Sequence, residues 1–265
     1  MMSPTRRAAL AGAAALLGAA AASAASAQTL LGLTADNMMV RIDGEARRAA
    51  QPMRITGAEG RVIGIDQRPA DGRLYGVTDA GQIVAIDWNT GRATGVSRLS
   101  ERFESGGRAV VDFNPVADRL RLMGVNGTNF RVNVETGAVV RDGQLKYQAG
   151  TPWAETPPRI SAGAYTNSMA GAQATALYTL DTLTRAWSLQ APPNDGVQQP
   201  RAELPAGLPP GVAFDILADT QGGNAGWLLA AGTLHRVDVA TGGVTMAGAV
   251  TGLPAVEIID IAAVR

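Results

Sequence analysis

The sequence predicts an all-β fold made of repeated units, and three observations support this prediction. Short segments rich in Val, Ile and Leu recur along the chain, bounded by Gly, Asp or Asn as strands are. They return at intervals of 45 to 53 residues, measured between the equivalent positions Asp66, Asp112, Tyr165, Asp215 and Asp260. The chain also ends on a single strand-like segment, and the rest of that unit stands at the other end of the chain. A period of this length, with several strands in each unit, is typical of the blades of a β-propeller.

The individual units can be followed along the sequence. The recurring Asp/Asn-x-x-Thr-Gly pattern marks a hairpin connection in each of the clearer units, because glycine supplies the positive φ that a tight turn requires. Clear units lie at 62–91, 110–137 and 212–242, and a degenerate unit lies at 163–189. The fifth is split between 258–262 and 30–43.

The split unit predicts how the fold closes. If the C-terminal strand forms the inner edge of a blade whose other strands come from residues 30–43, hydrogen bonds between the two ends fasten the ring. Closure removes the exposed strand edges of an open array. A β-sandwich or an open stack of repeats does not explain why the two ends complement each other. We therefore predict a five-bladed β-propeller, closed by pairing of the N- and C-terminal strands.

Three segments do not resemble blade strands and are predicted to be connecting loops. They lie at 99–108, 141–159 and 191–211, and the last is rich in proline. Long loops in a compact domain are either functional or poorly ordered.

The N-terminal residues have the pattern of an export signal. Arg6 and Arg7 precede an apolar stretch over 8–22, and Ala-Ser-Ala at 25–27 matches the small residues that signal peptidase requires. We expect cleavage before Gln28, which leaves residues 28–265 as one domain in the periplasm or outside the cell. The paired arginines leave both the general and the twin-arginine export routes open. No later segment has the length of apolar sequence that a membrane span requires.

Composition excludes several classes of function. The 23 basic and 23 acidic residues balance, and no basic stripe suits nucleic acid. The chain has no cysteine, which excludes disulfides and thiol nucleophiles, and its one histidine excludes a His-rich metal site. That residue, His235, lies in a strand pattern and is predicted to be a half-buried structural histidine. Neither a Gly-x-Ser-x-Gly elbow nor a phosphate-binding loop motif occurs.

A series of aspartates is the best candidate for a site. In a propeller the first strand of each blade lines the central channel, so Asp side chains that point inward would converge on the axis. Such oxygen ligands suit Ca²⁺. Alternatively, each Asp accepts hydrogen bonds from turn backbone and fixes the same corner of every blade. The candidate ligands are Asp66, Asp112, Asp215, Asp260 and Asn167.

Arginine and tryptophan residues provide two further sets of candidates. An anion- or ligand-binding patch on the same face would be formed by Arg68, Asn114, Arg119 and Arg121, although strand-end arginines more often pair with acids or face solvent. The four tryptophans are spread over different units, so we predict packing roles rather than a sugar-binding platform for Trp88, Trp153, Trp187 and Trp227.

Several stretches together resemble a bacterial family of exported domains known as domain of unknown function 4394. The matching stretches are Gly-Ile-Asp-Gln-Arg-Pro at 64–69 with Leu-Tyr-Gly at 74–76, Asp-Phe-Asn-Pro-Val-Ala-Asp-Arg-Leu-Arg at 112–121, Asn-Phe-Arg-Val-Asn at 129–133, Ala-Tyr-Thr-Asn at 164–167 and Pro-Pro-Asn-Asp-Gly at 192–196. Gln67 departs from the pattern, because family members commonly carry an aromatic residue there. The resemblance implies a repeat β fold and export. It implies no activity, so no catalytic residue is transferred.

The function expected from these observations is that of an exported, non-enzymatic binding module. It is expected to be a monomer and to bind a small molecule or an envelope or extracellular protein at one face or in its channel. One alternative is a Ca²⁺-dependent hydrolase, similar to a lactonase, that uses the channel carboxylates. A structural module of the envelope is the other alternative.

Overall fold

The computed structural model describes residues 28–219 and 221–265. The predicted signal peptide at 1–27 lies outside the described residues. The described residues form 22 β-strands, grouped in five sheets that are antiparallel apart from one parallel pair, and one short 3₁₀-helix, Pro193–Asp195. Within the described part of the chain, no helix is both long and apolar enough to cross a membrane.

Blades 2, 3 and 5 are each formed by four strands that are consecutive in the chain. Blade 2 contains β5 (Val62–Gln67), β6 (Leu74–Thr78), β7 (Gln82–Asp87) and β8 (Arg92–Arg98). Blade 3 contains β9 (Ala109–Asn114), β10 (Arg119–Gly124), β11 (Asn129–Val132) and β12 (Val139–Arg141). Blade 5 contains β18 (Val212–Ala218), β19 (Asn224–Ala230), β20 (Thr233–Asp238) and β21 (Val244–Ala249).

Blade 1 is the split blade, as predicted. It consists of β22 (Ile258–Val264), β1 (Thr29–Thr34), β2 (Met38–Asp43) and the short β3 (Arg48–Ala49) and β4 (Met53–Arg54). β22 pairs antiparallel with β1, with Thr29 opposite Val264 and Leu33 opposite Asp260. The last strand of the chain is therefore the inner strand of the blade that the first strands build.

Blade 4 corrects two of the predicted loops. It contains β14 (Ala162–Tyr165), β15 (Leu177–Asp181), β16 (Ala186–Gln190) and β17 (Val197–Glu203), with β13 (Lys146–Tyr147) at its edge. Thus 191–211 supplies the fourth strand of the blade and 141–159 supplies an edge strand. β17 was not predicted because most of its residues are polar and it contains Pro200. Pro200 is tolerated because it lies opposite Ser188, where the strand register shifts, beyond the residues that pair with β13.

The five inner strands form a closed ring. Each contacts the next in the order β22, β5, β9, β14 and β18, and β18 contacts β22 again. The fold is therefore a five-bladed propeller.

The apolar core consists of five layers, each between two neighbouring blades. Strand β1 shows how the sequence produces this arrangement. Leu30 packs towards blade 5, whereas Leu31 and Leu33 pack towards blade 2, because successive side chains of a strand point to opposite faces. Both faces of a blade are buried, which explains why these strands are apolar on both faces.

Two predictions about aromatic side chains are confirmed by their burial. Trp187 and Trp227 are completely or almost completely buried and belong to the layers between blades 4 and 5 and between blades 5 and 1. His235 is half-buried in β20, where it lies opposite Leu228. Trp153 is half-buried against Tyr147, with ring centroids 5.7 Å apart. Trp88 is different and is described with the site.

Candidate functional site

The four aspartates of the series lie on the inner strands of four blades. Asp66, Asp112, Asp215 and Asp260 are on β5, β9, β18 and β22, and each is at most 8% exposed. The sequence therefore predicted correctly that they occupy equivalent positions around the channel. Charged groups with so little exposure require strong hydrogen-bond partners.

The partner of each carboxylate is the backbone of the next blade. Asp260 Oδ2 accepts from Ile65 N at 2.8 Å, and Asp66 Oδ2 accepts from Phe113 N at 2.7 Å. Continuing round the ring, Asp112 Oδ1 accepts from Tyr165 N at 2.8 Å and Asp215 Oδ2 accepts from Ala263 N at 2.6 Å. We call these four contacts the inter-blade latches. They differ from the predicted turn contacts because they join one blade to the next.

The junction between blades 4 and 5 is built without an aspartate. The backbone N–H of Asn167 donates to Asn224 Oδ1 at 2.7 Å, and Asn224 Nδ2 donates back to Asn167 Oδ1 at 2.9 Å. Ser168 Oγ donates to the carbonyl of Ile216 at 2.9 Å. The Asn167 side chain is therefore engaged at this junction and is not brought together with the aspartates.

Three of the carboxylates converge. One oxygen each from Asp66, Asp112 and Asp215 lie within 4.8 Å of one another, whereas Asp260 is not part of this group. Such a cluster can hold protons or, with its hydrogen bonds rearranged, a cation. The assignment of Asp66, Asp112, Asp215, Asp260 and Asn167 as metal ligands remains a prediction.

Burial favours protons in this cluster. It raises the pKa of Asp66 and Asp112 well above the usual value, and the neighbouring carboxylates raise both further. Burial also raises the pKa of Asp215 to about 7, although the N–H groups of Ala263 and Ile216 and a hydrogen bond with Asp112 oppose that rise. The pKa of Asp260 is raised by burial as well. The cluster therefore retains protons at pH values at which exposed aspartates are fully ionised.

The residues predicted to bind an anion are engaged by other groups of the protein, and their assignment to a ligand remains a prediction. Arg68 is held by carboxylates: its Nε and Nη2 donate to Asp118 at 2.8 and 2.5 Å, and its Nη2 also contacts Glu135 at 3.1 Å. Asn114 Oδ1 accepts from the backbone of the turn that follows it, and Arg119 Nη1 donates to the carbonyl of Asp118 at 2.8 Å.

Arg121 is the centre of a buried polar network. Its Nη1 donates to Asp142 Oδ2 at 2.6 Å and to Asn129 Oδ1 at 2.8 Å. Its Nη2 donates to Asn194 Oδ1 at 2.9 Å, and its Nε donates to Tyr165 Oη at 3.1 Å. The side chain is 1% exposed, and all its bonds are internal. Arg121 therefore ties the 3₁₀-turn after blade 4's third strand to blade 3.

A cavity of about 400 Å³ opens where the inner strands end, at one mouth of the channel. Carboxylates, arginines and apolar side chains all line it. Its lining includes Asp66, Asp215, Arg68, Arg265, Trp88, Met169, Ala170 and Leu217. We call it the mouth cavity.

A second cavity of about 530 Å³ adjoins it on the same end of blade 2. The two share Gly72 and Trp88 as lining residues. The second cavity also contains Arg73, Asp87 and Arg92, and we call it the blade 2 cavity. The sequence predicted a packing role for Trp88, but the side chain lines both cavities. Its position at the hairpin corner, directly after a strand and before Asn-Thr-Gly, was the signal that could have suggested partial exposure.

Comparison with solved structures agrees with this architecture. A protein of unknown function from Bacteroides thetaiotaomicron aligns with a TM-score of 0.51 and 15% identity over 90% of this chain and 65% of its own. One from Bacteroides caccae aligns with a TM-score of 0.45 and 12% identity, over 83% of this chain and 72% of its own. A nidogen/laminin complex contains a chain that aligns with a TM-score of 0.50 and 11% identity, over 85% and 79%. At these identities the two alignments with TM-scores of 0.50 and 0.51 show the fold alone.

A closed ring of five blades, with buried carboxylates inside it and a cavity at its mouth, defines the molecule as a five-bladed β-propeller. The chain belongs to the family described as "Domain of unknown function (DUF4394)", whose model matches residues 27–262. This confirms the resemblance found in the sequence. No curated protein matches the chain.

Proposed function

We propose that the protein is an exported binding module that holds a small polar ligand in the mouth cavity. The mouth cavity is the observation that carries the proposal. Its volume of about 400 Å³ lies in the range of small-molecule sites. It combines apolar walls with a few polar groups, as such sites do.

The polar groups of the mouth cavity are held rigidly. Asp66 and Asp215 are fixed by the inter-blade latches, and Arg68 is fixed by its acidic partners. A site whose groups are already positioned loses little entropy when a ligand binds. The chain has no cysteine, and its single histidine lies in β20, outside this lining. These facts favour binding over nucleophilic catalysis.

The proposal is tested by filling the cavity. Ala170 is exposed and lines the mouth cavity, so Ala170→Phe would occupy the ligand's space at little cost in stability. Ala174→Phe is the matched control, since Ala174 is also exposed but is not part of the lining. Thermal unfolding is followed with millimolar monosaccharides, sugar acids and amino acids, because a ligand of the folded state raises Tm by mass action.

We expect at least one compound to raise Tm saturably in the unsubstituted protein and the control, but not in Ala170→Phe. A rise that survives Ala170→Phe would place the ligand elsewhere. No rise with any compound would favour the structural module of the envelope.

A cation-dependent hydrolase is the second candidate. The observation that favours it is the convergence of Asp66, Asp112 and Asp215, two of which line the mouth cavity. The oxygens of these residues already accept backbone N–H groups, which disfavours it. Turnover of a lactone that requires Ca²⁺ and is lost in Asp112→Asn would establish it in place of the binding module.

A further inference from the structure

The mouth cavity and the blade 2 cavity adjoin each other, and we call the two together the trough. They share Gly72 and Trp88, and both lie at the ends of the blade 2 strands. Apart from the chain neighbours of Gly72, no atom lies within 4 Å of the position that a Cβ on Gly72 would occupy, so no side chain blocks the trough at this point. The trough runs from the channel axis outwards across the face of blade 2, which is the shape required by an extended ligand rather than a compact one.

Trp88 lies at the middle of the trough. Its side chain is half-buried, packed on one side against the layer between blades 1 and 2, and it lines both cavities. Within residues 28–219 and 221–265, the indole N–H of Trp88 has no hydrogen-bond acceptor. An indole with an apolar face and a free donor suits a ligand that has both C–H surfaces and hydroxyl groups.

The outer end of the trough is positively charged. Arg73 and Arg92 are exposed, and in the described part of the chain neither has a carboxylate within 4.0 Å. Arg73 makes one weak contact, at 3.5 Å, to the Tyr75 hydroxyl. Asp87 lies opposite Arg92 in the β7–β8 pair and accepts from Asn89 N and Thr90 Oγ1, both at 2.9 Å. Its charge offsets one of the two arginines, so the charged residues of this end carry a net positive charge. Arginines in this condition can bind a carboxylate in a bidentate manner.

The inner end of the trough has a different character. Asp66 and Asp215 present carboxyl oxygens there, which do not attract an anion. Arg68 and Arg265 also line this end, but Asp118 occupies Arg68, and Arg265 donates to the carbonyl of Ala218. The two carboxyl groups can accept hydrogen bonds from hydroxyl groups. A ligand that satisfies both ends is therefore neutral and hydroxylated towards the axis and anionic towards blade 2.

We propose that the trough binds an acidic oligosaccharide, with a sugar ring on Trp88, a carboxylate at Arg73 and Arg92, and hydroxyl groups at Asp66 and Asp215. This inference rests on the proposed function and names its ligand class. The saccharide is fixed in one direction, because Arg73 and Arg92 attract the carboxylate at the outer end, whereas the carboxyl groups of Asp66 and Asp215 at the inner end accept hydroxyl groups.

The test compares acidic saccharides with their uncharged counterparts. The probes are trigalacturonate, trimannuronate and a hyaluronan tetrasaccharide, each beside its carboxyl methyl ester. Binding is measured by titration calorimetry and by tryptophan fluorescence. We expect at least one acid to bind, and its methyl ester to bind about tenfold more weakly, since a hydrogen bond between charged groups contributes about 1.5–3 kcal/mol.

Substitutions locate the two contacts. Arg92→Gln should weaken binding of the acid about tenfold and leave the ester unchanged. Arg48→Gln is its control, because Arg48 is also exposed but lies outside the trough. Trp88→Leu should weaken both forms and remove the fluorescence response. Trp153→Leu, which changes another half-buried tryptophan outside both cavities, should do neither.

Each outcome separates this inference from the proposed function. Equal binding of acid and ester, or no effect of Arg92→Gln, overturns the acidic saccharide while a ligand blocked by Ala170→Phe still supports the binding module. Failure of every acidic saccharide to bind overturns the inference as well. If an acidic saccharide binds and Ala170→Phe has no effect, the mouth cavity is not part of the site. The proposed function and the contacts at Asp66 and Asp215 then both fail, and only the contacts at Trp88, Arg73 and Arg92 stand.

Discussion

Asp66 Oδ2 accepts a 2.7 Å hydrogen bond from the backbone N–H of Phe113, so one buried carboxylate joins the inner strands of blades 2 and 3. The other oxygen of Asp66 accepts from Gln67 N at 2.7 Å. The same relationship recurs at three other junctions of the ring. The apolar layers hold neighbouring blades face to face, and the inter-blade latches fix the position of one inner strand against the next.

Asp66→Ala should destabilise the fold by about 2–4 kcal/mol, because it leaves two buried N–H groups without acceptors. Asp66→Asn should lose less stability than Asp66→Ala, since the amide of the asparagine retains one acceptor oxygen. The measurement is urea unfolding at neutral pH. Asp195→Ala is the control. Asp195 is exposed, so this substitution should change the free energy of unfolding by no more than about 0.5 kcal/mol. Unchanged or increased stability of Asp66→Ala would show that relief of repulsion among the aspartates outweighs the latch.

The carboxyl cluster predicts a stability that falls as pH rises. The pKa of Asp215 in the fold, about 7, exceeds its usual value of 3.8, so the folded state binds more protons than the unfolded chain between these values. Stability from this group is fully present below about pH 4 and is lost as pH rises through 7. The pKa values of Asp66, Asp112 and Asp260 shift in the same direction, so these groups add to the loss of stability as pH rises. The guanidinium of Arg108 opposes the shift of Asp260.

Unfolding midpoints in urea between pH 5 and 8.5 measure this dependence. The slope is about 1.4 kcal/mol per pH unit for each extra proton that the folded state holds. Asp215→Asn should flatten the profile between pH 5 and 7, because the substituted side chain does not titrate. A midpoint that rises with pH across this interval would mean that the cluster is ionised in the fold.

The sequence predicted the blades well because their signal is local and repeated. Strand periodicity and turn glycines lie within a few residues of one another, and the segment around Asp260 lacked the strands that residues 30–43 supply. β17 was missed because a polar outer strand that contains Pro200 has no apolar alternation. The equivalence of the aspartates was also visible. Their acceptance of N–H groups from the next blade was not, because Phe113 is 47 residues from Asp66 and only the closed ring brings them together.

The contacts of the candidate ligand residues could not be predicted from the sequence for the same reason. Arg68 and Arg121 each have a partner that is distant in the sequence: Asp118 is 50 residues from Arg68, and Asn194 is 73 residues from Arg121. Trp88 was predicted to pack, and half of that prediction is correct, since one side of it contacts the core. Trp88 also lines the blade 2 cavity and the mouth cavity, and the mouth cavity is built from strand ends of different blades. Such cavities depend on tertiary structure, which the local pattern does not specify.

Calcium should leave the stability of the protein unchanged at neutral pH. The backbone already donates to both oxygens of Asp66 and Asp215, and the cluster retains protons, so a cation would have to displace both. The experiment compares Tm after EDTA treatment and after the addition of millimolar Ca²⁺. A saturable increase that disappears in Asp112→Asn would instead assign a cation site to the three converging carboxylates.

Arg121→Lys should destabilise the protein by at least about 2 kcal/mol, although it keeps the charge. The guanidinium donates to four side chains on different segments, and an ammonium cannot reproduce that planar arrangement. Asp142 would still be paired with Arg131, whose Nε and Nη2 donate to it at 2.7 and 2.9 Å. The main loss of hydrogen bonds is therefore at Asn129, Asn194 and Tyr165.

Arg119→Lys is the control, because Arg119 lies on the same strand and its guanidinium contacts only backbone carbonyls of the preceding turn. In guanidinium chloride unfolding, Arg119→Lys should change the free energy of unfolding by no more than about 0.5 kcal/mol. Proteolysis of the native state offers a second measurement, since loss of the Asn194 contact should expose the 3₁₀-turn at Pro193–Asp195 to cleavage in Arg121→Lys alone. Equal stability of the two variants would show that blade 3 and this turn are held together by the surrounding apolar contacts, and not by the arginine.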